Sequence, residues 1–176
     1  MQMKIILLLS LIFLISCENS TSNPNASAPS NQSLSANDQS YNDATNTDHV
    51  LMEQEFMNLV NQHRISIGVR PLQLNSGLSQ IASQHSLDMA NHTVSFGHDG
   101  FSLRCADARN VLGGGNLCAE NVAMGQSSVQ SVFNAWMNSP GHRANIEQAR
   151  ATHTGFGFEQ SSGGTYYWTQ IFIELN

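Results

Sequence analysis

The sequence predicts an α+β domain in which helices pack on a small sheet. Three observations carry that prediction. Apolar side chains recur at helical spacing in three segments between positions 48 and 137. The period then changes to the β-branched and aromatic runs of 154–159 and 166–173. Those two runs are joined by Ser161-Ser162-Gly163-Gly164, the composition of a hairpin turn.

The first helix is expected over 48–67, with Asp48 as its cap and Leu51, Phe56, Leu59, Val60 and Ile67 on one face. Gly68 ends it, and Pro71-Leu72-Gln73-Leu74 reads as a short extended link. Asn75 or Ser76 then caps a second helix whose stripe is Leu78, Ile81, Ala82, His85 and Met89, which places His85 on the buried side. Positions 94–125 hold six glycines and little periodicity, so a long irregular segment is expected there, of the kind that is functional or needs a staple. Ser127 or Ser128 caps a third helix with Val129, Val132, Phe133, Trp136 and Met137 in register, and Pro140-Gly141 stops it. The two terminal strands follow, and no internal repeat is visible.

Ahead of this domain stand two segments of different chemistry. Residues 1–16 begin Met-Gln-Met-Lys and continue as an apolar run broken only by Ser10, too short to span a bilayer but built like a signal peptide. Leu14-Ile15-Ser16-Cys17 resembles the lipobox of bacterial lipoproteins, in which the cysteine is diacylated and becomes the mature N-terminus. The same run also reads as an ordinary secretory leader followed by an incidental cysteine, and its charged start is thin, with Lys4 alone. Residues 17–47 then form a tether: from 18 onward only Leu34 and Tyr41 are large and apolar, so the segment is expected to stay disordered. Thirty residues of such coil reach roughly 30 Å. The domain itself is 48–176.

Charge excludes several functions. Cleavage before Cys17 removes the only lysine, leaving six arginines against thirteen acidic residues, so Schiff-base chemistry and a GxxxxGK[ST] phosphate loop are ruled out. Net charge falls from −6 by one to −7, with no basic cluster, which speaks against a nucleic-acid partner. Cys105 and Cys118 are the thiols left once Cys17 is acylated, in a compartment that permits disulfides. A bridge between them closes a loop of about 14 residues and stabilises by about 3 kcal/mol. The other reading, a catalytic cysteine, finds no activating neighbour in sequence.

Several motifs in order carry a resemblance: Asn61-Gln62-His63-Arg64 with Gly68 and Pro71-Leu72; Leu74-Asn75 with Leu78, Ala82, Ser86 and Asp88-Met89-Ala90; and Phe96-Gly97-His98. Ala119-Glu120-Asn121-Val122-Ala123, the run from Ala135-Trp136 to His142-Arg143, Gly155-Phe156-Gly157 and Tyr167-Trp168-Thr169-Gln170 continue it. Together they resemble the CAP superfamily of cysteine-rich secretory, antigen 5 and pathogenesis-related proteins, in its bacterial SCP-like branch, over roughly 50–174. The resemblance implies a three-layer α-β-α sandwich of the CAP type.

It also implies a cleft. Eukaryotic members carry two histidines and two glutamates there, able in several cases to hold a divalent metal. His98 matches the first histidine and Glu120 the glutamate of the Gly-Glu-Asn motif, with Ala119 in place of the glycine. Ser139 and Tyr167 stand where the second glutamate and second histidine would be, and His142 is the branch's candidate for that histidine. The implied site is therefore His98, Glu120, His142 and Tyr167, with His98 and His142 as candidate ligands of a divalent cation such as zinc and Glu120 as candidate base. A structural role for Glu120, pinning the central loop through hydrogen bonds, stands beside that reading. His85 is expected as a core residue, His63 on a helix surface, His92 and His153 in a loop or at a strand edge, and His49 at the tether junction. Gly113-Gly114-Gly115, with no lysine following, is a flexible loop.

Two functions follow. The first is a non-catalytic binding module of the cell envelope, exported and anchored to a membrane through its lipid, taking up a small lipid, glycan, peptide or protein partner. The second is a metal-dependent hydrolase of peptide or cell-wall substrates using His98, Glu120 and His142. No Gly-x-Ser-x-Gly nucleophile motif is present. The balance of these features leans away from an enzyme.

Overall fold

The computed structural model describes residues 36–175, with side chains from 47 onward. The leader 1–16, Cys17 and the part of the tether up to residue 35 lie outside the described residues.

Helix α1 spans Ala36–Ser66, strand β1 Gln73–Leu74, helix α2 Ser76–Ala90 and helix α3 Phe101–Leu112. Strand β2 spans Cys118–Met124, helix α4 Val129–Asn138, helix α5 Pro140–Ile146, strand β3 His153–Gln160 and strand β4 Tyr166–Ile173. The strands form one sheet in the order β1-β3-β4-β2, with β1 parallel to β3 and the rest antiparallel. Period-two alternation along β4 divides the core. Trp168 and Phe172 point to one face with Phe56, Val60, Val132 and Trp136 from α1 and α4. Tyr167 and Ile171 point to the other, against Met89 and Leu78 of α2. The result is the expected three-layer α-β-α sandwich.

Glycine makes one of those layers possible. A Cβ on Gly155 would land on the backbone of Leu78, and one on Gly157 on the backbone nitrogen of Ser83. Helix α2 therefore lies directly on β3, where Ser86 Oγ is within hydrogen-bond reach of Gly157 O at 3.2 Å and of Thr169 Oγ1 at 2.9 Å. Caps match the sequence reading: Asn75 accepts from Leu78 N, and Ser128 forms a capping box with Ser131.

Four expectations are corrected. Helix α1 starts at Ala36 rather than Asp48, because a helix nucleated by its packed half extends at little cost through polar residues. Leu51 within it and Ile67 just past its end are exposed, while Met57 and Arg64 are buried. Arg64 is fully buried because its guanidinium donates to the carbonyls of Arg70, Ile146, Gln148 and Ala151, tying α1 to the segment after α5. Positions 94–125 are not wholly irregular, since they contain α3 and β2. Pro140 ends α4 but also opens α5, at the first-turn position where its missing N–H costs nothing.

Candidate functional site

Strand β2 is an edge strand, and the site is built around that edge. Glu120 sits in β2 opposite Ile171, with a side chain only 1% exposed. Burial of a carboxylate requires compensation, and three donors supply it. Arg104 of α3 donates from Nε to Oε2 at 2.7 Å and from Nη2 to Oε1 at 2.8 Å, and His98 Nδ1 lies 2.9 Å from Oε1. An ionised carboxylate only accepts, so Nδ1 of His98 donates the hydrogen of this bond. The His98 side chain is half exposed, at 51%. Arg104 also donates from Nη1 to Asp99 O at 2.6 Å, which fixes the loop bearing His98.

The Cys105–Cys118 disulfide closes beside this cluster, with Cα atoms 5.9 Å apart. It joins the residue after Arg104 to the residue two before Glu120. On the other flank, Asn145 of α5 donates to Glu120 O at 3.2 Å and to Asn121 Oδ1 at 2.8 Å, and Asn121 Nδ2 donates to His142 O at 3.1 Å. Trp136 Nε1 donates to Val122 O at 3.2 Å. The outward carbonyls of Glu120 and Val122 are thus occupied by side chains, which leaves the middle of this edge poorly disposed to an added strand. A shallow cavity of about 310 Å³ opens here, lined by His98, Phe101, Cys118, Ala119, Glu120 and Asn145.

His142, the third residue of α5, is half-buried and stands beside those walls, its ring 6.3 Å from that of Trp136. Burial pushes its pKa below the ordinary 6.5, and the positive charge that His98 can carry pushes the same way. His98, Glu120 and His142 are therefore gathered at one edge, with His98 and Glu120 in direct contact.

Tyr167 is not with them. Its partner in β2 is Met124, four residues along from the Glu120–Ile171 pair, or roughly 13 Å at strand rise. It packs instead with Met89 and Val122. Tyr167 therefore stands in a different part of the sheet from Glu120.

The zinc expectation also fails a test of fit. Among the described residues no three His, Cys, Asp or Glu side chains come together as a possible metal site. Both oxygens of Glu120 are engaged, and Arg104 already supplies the positive charge that a divalent ion would bring. Two imidazoles next to a guanidinium do not make a three-donor zinc site.

Sequence reasoning missed Arg104 and Asn145. The signal for Arg104 was chemical rather than periodic: a carboxylate placed in a buried strand demands a cation, and only six arginines are available. The histidines outside the site fall close to expectation. His85 is buried with Nε2 2.9 Å from Gly97 O, His63 pairs with Glu147 Oε1 at 2.8 Å, and His49 stacks on Phe158.

Comparison with known proteins places these features. The model of the cysteine-rich secretory protein (CAP) family matches residues 57–172. The Bacillus subtilis protein YkwD is 36% identical over 123 residues, covering 69% of this chain and 46% of its own length. An extracellular SCP-domain protein of Bacillus anthracis superposes with a TM-score of 0.60 at 26% identity, over 72% of this chain and 41% of its own. A cysteine-rich secretory protein of Staphylococcus aureus gives 0.59 at 25%, over 72% and 40%. This chain thus spans less than half the length of each. The matched residues hold the sandwich, the α3–β2 disulfide and the His98–Glu120 edge, and the chain belongs to the cysteine-rich secretory protein (CAP) family.

Proposed function

We propose that this chain is an exported binding protein of the bacterial envelope, tethered to a membrane through Cys17, whose CAP domain holds a small lipid, glycan, peptide or protein partner without transforming it. One observation carries the non-catalytic reading: the Glu120 side chain is only 1% exposed and accepts three hydrogen bonds, two from Arg104 and one from His98, which hold it away from solvent. A hydrolase of the kind considered above asks Glu120 to take a proton from water, and a general base needs a free lone pair within reach of that proton. Here the carboxylate instead orients His98, whose ring lines the cleft. The Asn145 amide and the Phe101 ring complete a surface suited to recognition. Export is supported by the signal-peptide pattern of 1–16 and by relatives described as secretory or extracellular.

The test is to incubate the full chain, in mild detergent, with purified envelope fragments and separate pellet from supernatant. The protein is expected to sediment with the fragments while no soluble product accumulates. Soluble product that grows with protein and time, and disappears in the His98→Ala variant, would establish the hydrolase.

A further inference from the structure

His98 has half of its side chain in solvent and sits on the loop between the end of α2 at Ala90 and the start of α3 at Phe101. A ring so placed keeps one position only where its neighbours in the chain are held. Three side chains reach this stretch. His98 Nδ1 meets Glu120, Arg104 Nη1 donates to the carbonyl of the following residue, Asp99, and His85 Nε2 lies 2.9 Å from the carbonyl of the preceding one, Gly97. The first two ties belong to the cluster at the β2 edge. The third comes from helix α2, where His85 is only 2% exposed.

His85 is suited to hold a loop rather than to fill a core. Its helix is fixed, because α2 rests on the bare backbones of Gly155 and Gly157, and the next residue, Ser86, reaches Gly157 O and Thr169 Oγ1. Burial pushes the His85 pKa below the ordinary 6.5, so at neutral pH the ring carries one N–H, and Gly97 O, which only accepts, takes that hydrogen from Nε2. Gly97 has a φ of 142° and open space where a Cβ would stand, a backbone free to turn its carbonyl elsewhere. The direction of that carbonyl is therefore imposed from outside, by His85. His85 and Arg104 also line one groove of about 250 Å³ between α2 and α3, so the two carbonyl ties leave from neighbouring side chains and grip His98 from both sides.

We infer that His85 is a positioning residue of the cleft: acting through the Gly97 carbonyl, it sets where His98 meets Glu120 and so how firmly the cleft holds its ligand. The second half of this rests on the binding function proposed above. An apolar side chain would fill the same place in the stripe of α2 without the cost of burying an imidazole.

The test compares the parent with His85→Leu, which keeps the bulk and removes the donor, and with His85→Gln, which restores a donor near the place of Nε2. Each full chain, in mild detergent, is followed by sedimentation with purified envelope fragments, by the imidazole N–H signals of His98 in NMR, and by thermal unfolding. His85→Leu is expected to weaken sedimentation about fivefold, the equivalent of one hydrogen bond, and to lose the His98 Nδ1–H signal to exchange with water. His85→Gln should recover both. Should His85→Leu not fold, His85→Asn, too short to reach Gly97 O, takes its place with the same expected losses. A variant without the donor that shifts only the unfolding midpoint, with the His98 signal and the binding of the parent, would overturn the inference. So would a His85→Gln protein that recovers neither. If the parent itself does not sediment, the binding reading falls, and the His98 signal still decides whether His85 positions that ring.

Discussion

Arg104 holds Glu120 at two points, Nε to Oε2 at 2.7 Å and Nη2 to Oε1 at 2.8 Å, on a carboxylate that water barely reaches. The adjacent residue, Cys105, is bonded to Cys118 two positions before Glu120. Helix α3 and strand β2 are therefore joined side by side by a covalent bond and by a two-point ion pair. The wall of the cleft is set by these two ties, and the loop bearing His98 is set in turn by Arg104 and Glu120.

The first prediction concerns metal. Zinc offered to the parent meets two imidazoles, no free carboxylate and a neighbouring guanidinium, so its unfolding midpoint should stay where a chelator leaves it. Arg104→Gln removes the cation and frees Glu120 to join His98 and His142. Breaking a buried pair in this way costs about 3–5 kcal/mol, and zinc should restore part of that loss in a concentration-dependent manner. Thermal unfolding with zinc and with chelator checks both proteins. An equal response in parent and variant would return the site to zinc.

Acid should weaken the fold through its histidines. Burial lowers the pKa of His85 from 6.5, and burial with the His98 charge lowers that of His142. Below 6.5 the unfolded chain takes up protons that the folded chain refuses, so stability is full above that pH and falls as acidification proceeds toward the depressed folded values. Denaturant midpoints of the parent should drop between pH 7.5 and 5.5, and His85→Asn should flatten the slope. Glu159, whose carboxyl burial raises, acts in the opposite sense but is common to both proteins. A midpoint that rises on acidification, or an unchanged slope in the variant, would contradict this.

Anchoring should depend on one sulfur. In a bacterial host, Cys17→Ala is expected to move the protein from the membrane fraction to the soluble one or to leave the leader uncleaved. Normal processing with unchanged membrane fractionation would remove the lipid from the account.

How much of this was legible beforehand depended on the kind of signal. The stripes of α2 and α4 are periodic, and they placed Leu78, Ala82, Met89, Val132 and Trp136 in the core without help. The fold's layers and the meeting of His98 with Glu120 came through ordered motifs. Helix α3 escaped because its burial rests on Cys105 and Ala108, small residues that leave little apolar stripe to read, while Leu103 and Val111 point outward. Arg64 escaped because a fully buried arginine is read as surface unless its four carbonyl partners, which come from 6 to 87 residues away, are known. Tyr167 was misplaced for a related reason: a motif match aligns residues along the chain, whereas its place in the sheet is set by the β2–β4 register.

The most direct measurement is the stability of Glu120→Gln. If Glu120 is the anchor of the cleft, the substitution leaves Arg104 buried without its charge partner and His98 without its orienting acceptor, and the unfolding free energy should fall by about 3 kcal/mol or more. A carboxylate kept for catalysis is stored at some cost to the fold, and neutralising it leaves stability unchanged or raised. Denaturant unfolding of parent and variant at pH 7.5 distinguishes the two. A loss of that size supports a structural carboxylate in a binding cleft; a midpoint equal to or above the parent's would contradict it.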